Sequence, residues 1–253
     1  MKYYIVLITV IFIAPLNGMT QQFIDEAVVE YEVKTNIKKT MGSGIWAEMM
    51  KENMPQFKTG YYTLSFTGNK SLYKFDHWDE KVKMPEFLRK SDEENVWFYN
   101  YNSNRFNIQK DIYGSKFYIE DSITQVDWHL ENENRIIAGF NCRKAVGKIM
   151  DSVYVFAFYT DEILLTGGPS SVNGLPGLIL GLTIPRLYTS FIATKVSLSG
   201  IDKANIKPTS AKKIQTVASF KKDIHSRIKE WISEDDDEDS KQWTNQFLWN
   251  TFL

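Results

Sequence analysis

The sequence predicts a mainly β protein: a single curved antiparallel meander sheet or incomplete barrel, with a long C-terminal amphipathic helix packed across its open face. Three observations predict it. Around ten short segments between residues 27 and 198 alternate apolar and polar residues and are divided by turn signals. Apolar residues between 214 and 232 recur instead at helical spacing. The chain also holds 16 Phe, 13 Tyr and 7 Trp, enough bulk for a large core, with one cysteine and hence no internal disulfide.

In order along the chain, Ala27–Val33 alternates as a half-buried strand, with Ala27, Val29, Tyr31 and Val33 on one face. Between Met41 and Phe57, Trp46, Met49, Met50 and Met54 fit a short helix ending near Pro55, or an ordered loop. Tyr61–Thr67, the turn pair Gly68-Asn69 and Ser71–Phe75 form a hairpin. Val96–Tyr101 and Arg105–Ile112 form another around Asn102-Ser103-Asn104, and Phe117–Glu120 continues the series. Thr124–Leu130 follows, then a break at Glu131–Asn134 before Arg135–Ile149. Ser152–Tyr159 is bulky on both faces, as a strand covered on both sides would be. Leu187–Leu198 alternates again. Ile214, Val217, Ala218, Ile224, Ile228, Trp231 and Ile232 then mark the helix, which the acids Glu234–Asp239 should stop or fray. A final segment with Trp243, Phe247, Leu248 and Trp249 is expected to pack back on the body.

One stretch stands out. Thr166–Leu182 holds five of the fourteen glycines and two of the seven prolines. Leu175-Pro176-Gly177-Leu178 fits a type II turn, with Pro176 presetting its own φ and Gly177 supplying positive φ, before the apolar run Leu178–Leu182. The hexapeptide Gly174-Leu175-Pro176-Gly177-Leu178-Ile179 resembles the name-giving motif of the GLPGLI family of exported Gram-negative proteins. Tyr62–Tyr73, Ile119–Asp121, Trp128, Ile136, Gly139, Cys142–Ala145 and Phe158–Asp161 are similar to further parts of that family. Leu182-Thr-Ile-Pro185 departs from its usual continuous run, and the acidic cluster is no feature of it. The resemblance implies a periplasmic β-rich protein, a neighbourhood of TonB-dependent outer-membrane receptors, and no catalytic residues. Gly174, Leu175, Pro176, Gly177, Leu178 and Ile179 therefore stand as a structural turn between strands, the alternative being a turn that also lines a ligand cleft or meets a partner.

Residues 1–18 pair Lys2 with the apolar run Tyr3–Ala14 and a Pro-Leu-Asn-Gly breaker, the pattern of a signal peptide, too short to anchor in a membrane. The expected layout is a signal peptide at 1–18, one β-rich domain with its helix at 19–233, and an acidic segment and aromatic tail at 234–253. The expected location is the periplasm, in soluble form, with no cysteine near the cleavage point for lipidation. A formal charge of −1, or −2 without Lys2, gives no footprint for nucleic acid.

Catalytic patterns are missing from the sequence. Gly168 and Gly174 have the wrong spacing for a phosphate loop, and Leu175 stands where its lysine belongs. Gly168-Pro-Ser-Ser-Val172 lacks the second glycine of a nucleophile elbow, which leaves Ser170 and Ser171 as turn residues. His77, His129 and His225 stand apart, so no metal site or cofactor is expected. Asp76-His77-Trp78-Asp79-Glu80 reads as a wet polar loop, Cys142 as a small buried hydrophobe, and the acidic run as solvated. The expected function is a non-catalytic accessory or binding protein, serving an outer-membrane receptor or holding an apolar ligand. The rivals are a half-barrel lipid or lipoprotein carrier and an enzyme using a carboxylate near His77 or the Gly-rich turn.

Overall fold

The structure is a computed structural model that describes residues 24–41, 45–81, 84–112, 114–150, 152–231 and 237–253. The leader at 1–18 and Glu234–Asp236 lie outside them. Eleven strands form one sheet: β1 Glu26–Thr35, β2 Lys58–Thr67, β3 Lys70–Trp78, β4 Val96–Asn100, β5 Arg105–Ile112, β6 Ser115–Ser122, β7 Asp127–Ile137, β8 Phe140–Ile149, β9 Val153–Thr160, β10 Leu178–Ile184 and β11 Thr189–Ser197. Their order is β6-β5-β4-β3-β2-β1-β11-β10-β9-β8-β7, and every pairing is antiparallel. The chain thus meanders from β1 out to one edge at β6, restarts at the other edge with β7, and returns to pair β11 with β1, Tyr31 opposite Ala193.

That topology fixes the curvature. Laid flat, eleven strands at ~4.8 Å spacing would hold β6 and β7 roughly 48 Å apart. Only residues 123–126 join them, and that connection reaches at most ~18 Å. The sheet therefore curls until its edges approach without pairing, which makes it the incomplete barrel that the meander pattern predicts.

The concave face carries the core. Tyr31, Tyr62, Leu64, Phe66 and Tyr73 are buried there on β1 to β3, and Trp97, Tyr99, Phe106 and Ile108 on β4 and β5. After β11 the chain crosses the convex side, where Ile206 packs on Leu72 and Phe98. Gln215 then bonds to the β6 edge: its N–H donates to Tyr118 O (2.8 Å), and Glu120 N–H donates to Gln215 O (2.9 Å). This shields part of an edge that would otherwise template pairing with another chain.

Among the described residues five α-helices complete the fold: α1 Ile37–Thr40, α2 Ile45–Glu52, α3 Glu86–Glu93, α4 Val217–Trp231 and α5 Asp237–Phe252. α4 starts at the covered edge, where Thr216 Oγ1 accepts from Ser219 N (3.2 Å) and Asp121 Oδ2 from Val217 N (3.0 Å). Its Phe220 and Ile224 enter the core, as do Leu248, Trp249 and Phe252 of α5.

Several elements differ from the sequence expectation. The C-terminus forms two helices rather than one helix and a short tail: α5 runs from Asp237 to Phe252, so the last acids of the run begin a second helix. Glu131–Asn134 is no break between strands, because β7 runs through it with a register shift and turns only at Ala138-Gly139, both at positive φ. Asp76, His77 and Trp78 belong to β3 rather than to a loop. α3 was not legible, being mostly charged with an uncapped Pro85 before it.

Candidate binding site

The glycine-rich stretch runs inside the barrel. Gly167, Gly168, Pro169 and Ser170 are buried, as are Leu175, Leu178 and Ile179, while Gly174 and Pro176 are exposed. The bend is not a type II turn. Gly177 N–H donates to Leu175 O (2.8 Å), closing a three-residue turn on Pro176, and Leu178 N–H goes instead to Ile163 O (3.2 Å). Gly177 has φ +151°, and a Cβ there would stand 2.0 Å from the carbonyl oxygen of Thr160. Glycine is required because two backbones meet, beyond any need for positive φ.

Once inside, the stretch is tied on every side. Tyr31 Oη donates to Ile179 O (2.6 Å), Ile179 N to Gly167 O (2.9 Å), and Trp128 Nε1 of β7 to Asn173 O (3.1 Å). Ser170 Oγ lies 2.8 Å from Leu253 O at the end of α5. A ladder of contacts therefore spans the gap between the sheet edges. Phe117 of β6 meets Phe220 of α4 edge-on (5.4 Å), Phe220 meets Phe252 of α5 (5.7 Å), the chain end meets Ser170, and Asn173 meets Trp128 of β7. Side chains and loop bonds, not a strand ladder, close this opening.

A polar cluster lies further round the concave face, at the end of the barrel that α3 covers. Lys110 shares the face of Phe106 and Ile108 and is only 7% exposed. Its Nζ stands 4.6 Å from the centre of the Trp97 ring, and it forms no ion pair among the described residues. Burial pushes its ammonium down to about 8, with Lys58 adding to that and Asp92 opposing it. Asp92 of α3 is committed to Lys58 and lies beside the Tyr62 hydroxyl, whose pKa burial, then Asp92, raises. The Tyr73 ring stacks on Tyr62 (5.3 Å) and tilts against Trp97 (5.3 Å). Tyr73 Oη and Trp97 Nε1 are both buried without a hydrogen-bond partner. α3 is fixed there by Trp78 Nε1 donating to Glu93 Oε1 (2.6 Å) and Gln109 Nε2 to the following Glu94 O (2.8 Å).

The sequence reading missed this cluster, although its signal was present: Lys110 sits two residues after Ile108 and four after Phe106, an apolar-face position. The residues it did single out are dispersed. His77 is exposed, bonded to Asp76 (2.7 Å) and stacked on Tyr61 (4.6 Å). His129 is exposed and His225 meets Thr244 (3.1 Å). Cys142 is fully buried, and burial pushes its thiol up to about 11. Among the described residues no three His, Cys, Asp or Glu side chains gather as a metal site, and no helix is long and apolar enough to cross a membrane. On the convex side a shallow groove of about 200 Å³ is lined by Glu30, Thr63, Lys195 and Ser197, among others.

No family model matches the chain, and no curated protein does. Among solved structures it is similar to PNGF-II in two crystal forms. For the C2 form the TM-score is 0.51 at 16% identity over 78% of this chain, and for the P21 form 0.50 at 15% over 78%. The chain spans 32% of the length of PNGF-II. An uncharacterised conserved protein from Thermus thermophilus gives 0.37 at 11%, over 75% of this chain and 89% of that one. At these identities the likeness to PNGF-II is one of fold alone.

Proposed function

We propose that this is an exported, non-catalytic binding protein that takes an apolar chain into its half-barrel beneath α4 and α5. One observation carries the proposal: the opening between β6 and β7 is closed by aromatic contacts of a helix pair, Phe117 to Phe220 to Phe252, rather than by backbone pairing. Such a closure parts without breaking a strand ladder, and what it uncovers is aromatic and aliphatic. The convex groove is polar-lined and open to solvent, a poor match for an apolar ligand.

Support for a binding role over catalysis comes from the side chains. The one thiol is buried and held protonated, and His77 has its Asp76 partner on the exposed face of β3. The periplasmic setting rests on the leader pattern at 1–18 and on the GLPGLI resemblance. An outer-membrane receptor, the partner that this resemblance implies, would then be a recipient or source of the ligand.

The test is uptake of the neutral fluorophore N-phenyl-1-naphthylamine by detergent-free protein. Saturable emission enhancement, reversed by hexadecanol, is expected. Emission no greater than with an unfolded control would discard the proposal.

A further inference from the structure

We infer that Lys110, with Trp97 and Tyr73, holds the head group of a long-chain monocarboxylate inside the half-barrel. The inference rests on the proposed function and adds the chemical class of its ligand.

Two neutral hydrogen-bond donors on adjacent strands are buried and without an acceptor, and a lysine on the next strand lies beside them. Tyr73 Oη on β3 and Trp97 Nε1 on β4 have no partner, and Lys110 Nζ on β5 has only the face of the Trp97 indole. They are 1%, 5% and 7% exposed. Buried donors left in this state carry a desolvation penalty that an acceptor removes. Unpartnered donors beside a lysine that has no counter-ion favour an anion.

The charge balance narrows it further. Asp92 already pairs with Lys58, so Lys110 has no counter-ion among the described residues, and one carboxylate matches its charge. A phosphate monoester would bring close to two negative charges, more than Lys110 alone neutralises. The aromatic rows set the tail. Lys110 pairs across β5 and β6 with Phe117, which leads through Phe220 to Phe252 under the lid. A head at Lys110 thus has an apolar path towards the opening.

The test compares palmitate, hexadecanol and hexadecyl phosphate as competitors of N-phenyl-1-naphthylamine, on the wild type and on Lys110→Met. Palmitate is expected to weaken by about tenfold or more in Lys110→Met, as for loss of a charged hydrogen bond, while hexadecanol is unchanged. Trp97→Phe removes one neutral donor without altering charge, and a severalfold loss for palmitate alone is expected. It decides the matter if Lys110→Met fails to fold. Equal palmitate affinity in wild type and the folded variants would overturn the head-group site and leave the apolar-chain reading standing. Stronger binding of hexadecyl phosphate would overturn the carboxylate assignment. Failure of all three competitors on the wild type would overturn both.

Discussion

Lys110 is a lysine placed where the strand pattern calls for an apolar residue, and its energetics follow from that. Its folded pKa of about 8 lies below the ordinary 10.5. Between those values the unfolded chain binds more protons than the native one, so stability rises with pH across that window, and below it the full penalty is present. The groups facing Lys110 are Asp92 and Lys58, with Tyr73 next to Trp97. Above pH 9 Cys142, with its thiol raised to about 11, offsets the gain, and Tyr101, raised to about 12, turns it into a fall above 10. Urea unfolding of the wild type should therefore gain on the order of 1 kcal/mol from pH 8 to 9. Lys110→Met should lack that gain and be more stable at pH 7 by ~1–3 kcal/mol; a less stable, fully folded variant would contradict the unpaired burial. Gly177→Ala acts in the other direction. Its Cβ would overlap the Thr160 carbonyl oxygen, and a loss of at least ~2 kcal/mol in thermal or urea unfolding is expected. A variant melting like the wild type would refute the close approach.

Elements were legible where a single period ran long enough. Tyr61–Thr67 and Ser71–Phe75 alternate around Gly68-Asn69, and β2 and β3 form there. β7 misled because its bulge puts four polar or acidic residues in a row, which imitates a turn. α3 went unseen because EFLRKSDE is only eight residues long and mostly charged, with two apolar residues. It is held by what it meets: Lys58, Trp78 and Gln109. α5 is held in the same way at its end. Ser170→Ala removes the hydroxyl near Leu253 O and should cost ~1 kcal/mol, read as faster amide exchange confined to α5. Phe252→Ala removes the contact with Phe220 as well, and ~3 kcal/mol is expected from the cavity left. Losses near zero in both variants would mean that α5 is not part of the core.

At the scale of the whole molecule, a sheet whose two edges approach without pairing has a seam, and the seam is where motion should concentrate. β1, β11 and β10 sit centrally with paired neighbours on both sides, so their amides should exchange most slowly. α4 and α5 should exchange faster, and palmitate should slow them selectively; uniform exchange throughout would argue against a lid. By itself the sequence determined the strand meander, the C-terminal helix after it and the bend at Gly177, because side-chain period and backbone stereochemistry are local properties. It did not determine that the glycine-rich stretch lies inside the barrel, nor that Asp92 spends its charge on Lys58 and leaves Lys110 unpaired. Those were decided by the tertiary structure, since the curl of the sheet brings β2, β4, β5, α3 and α5 onto one concave face from distant parts of the chain. Charge pairing and burial depend on that convergence, which no local pattern encodes.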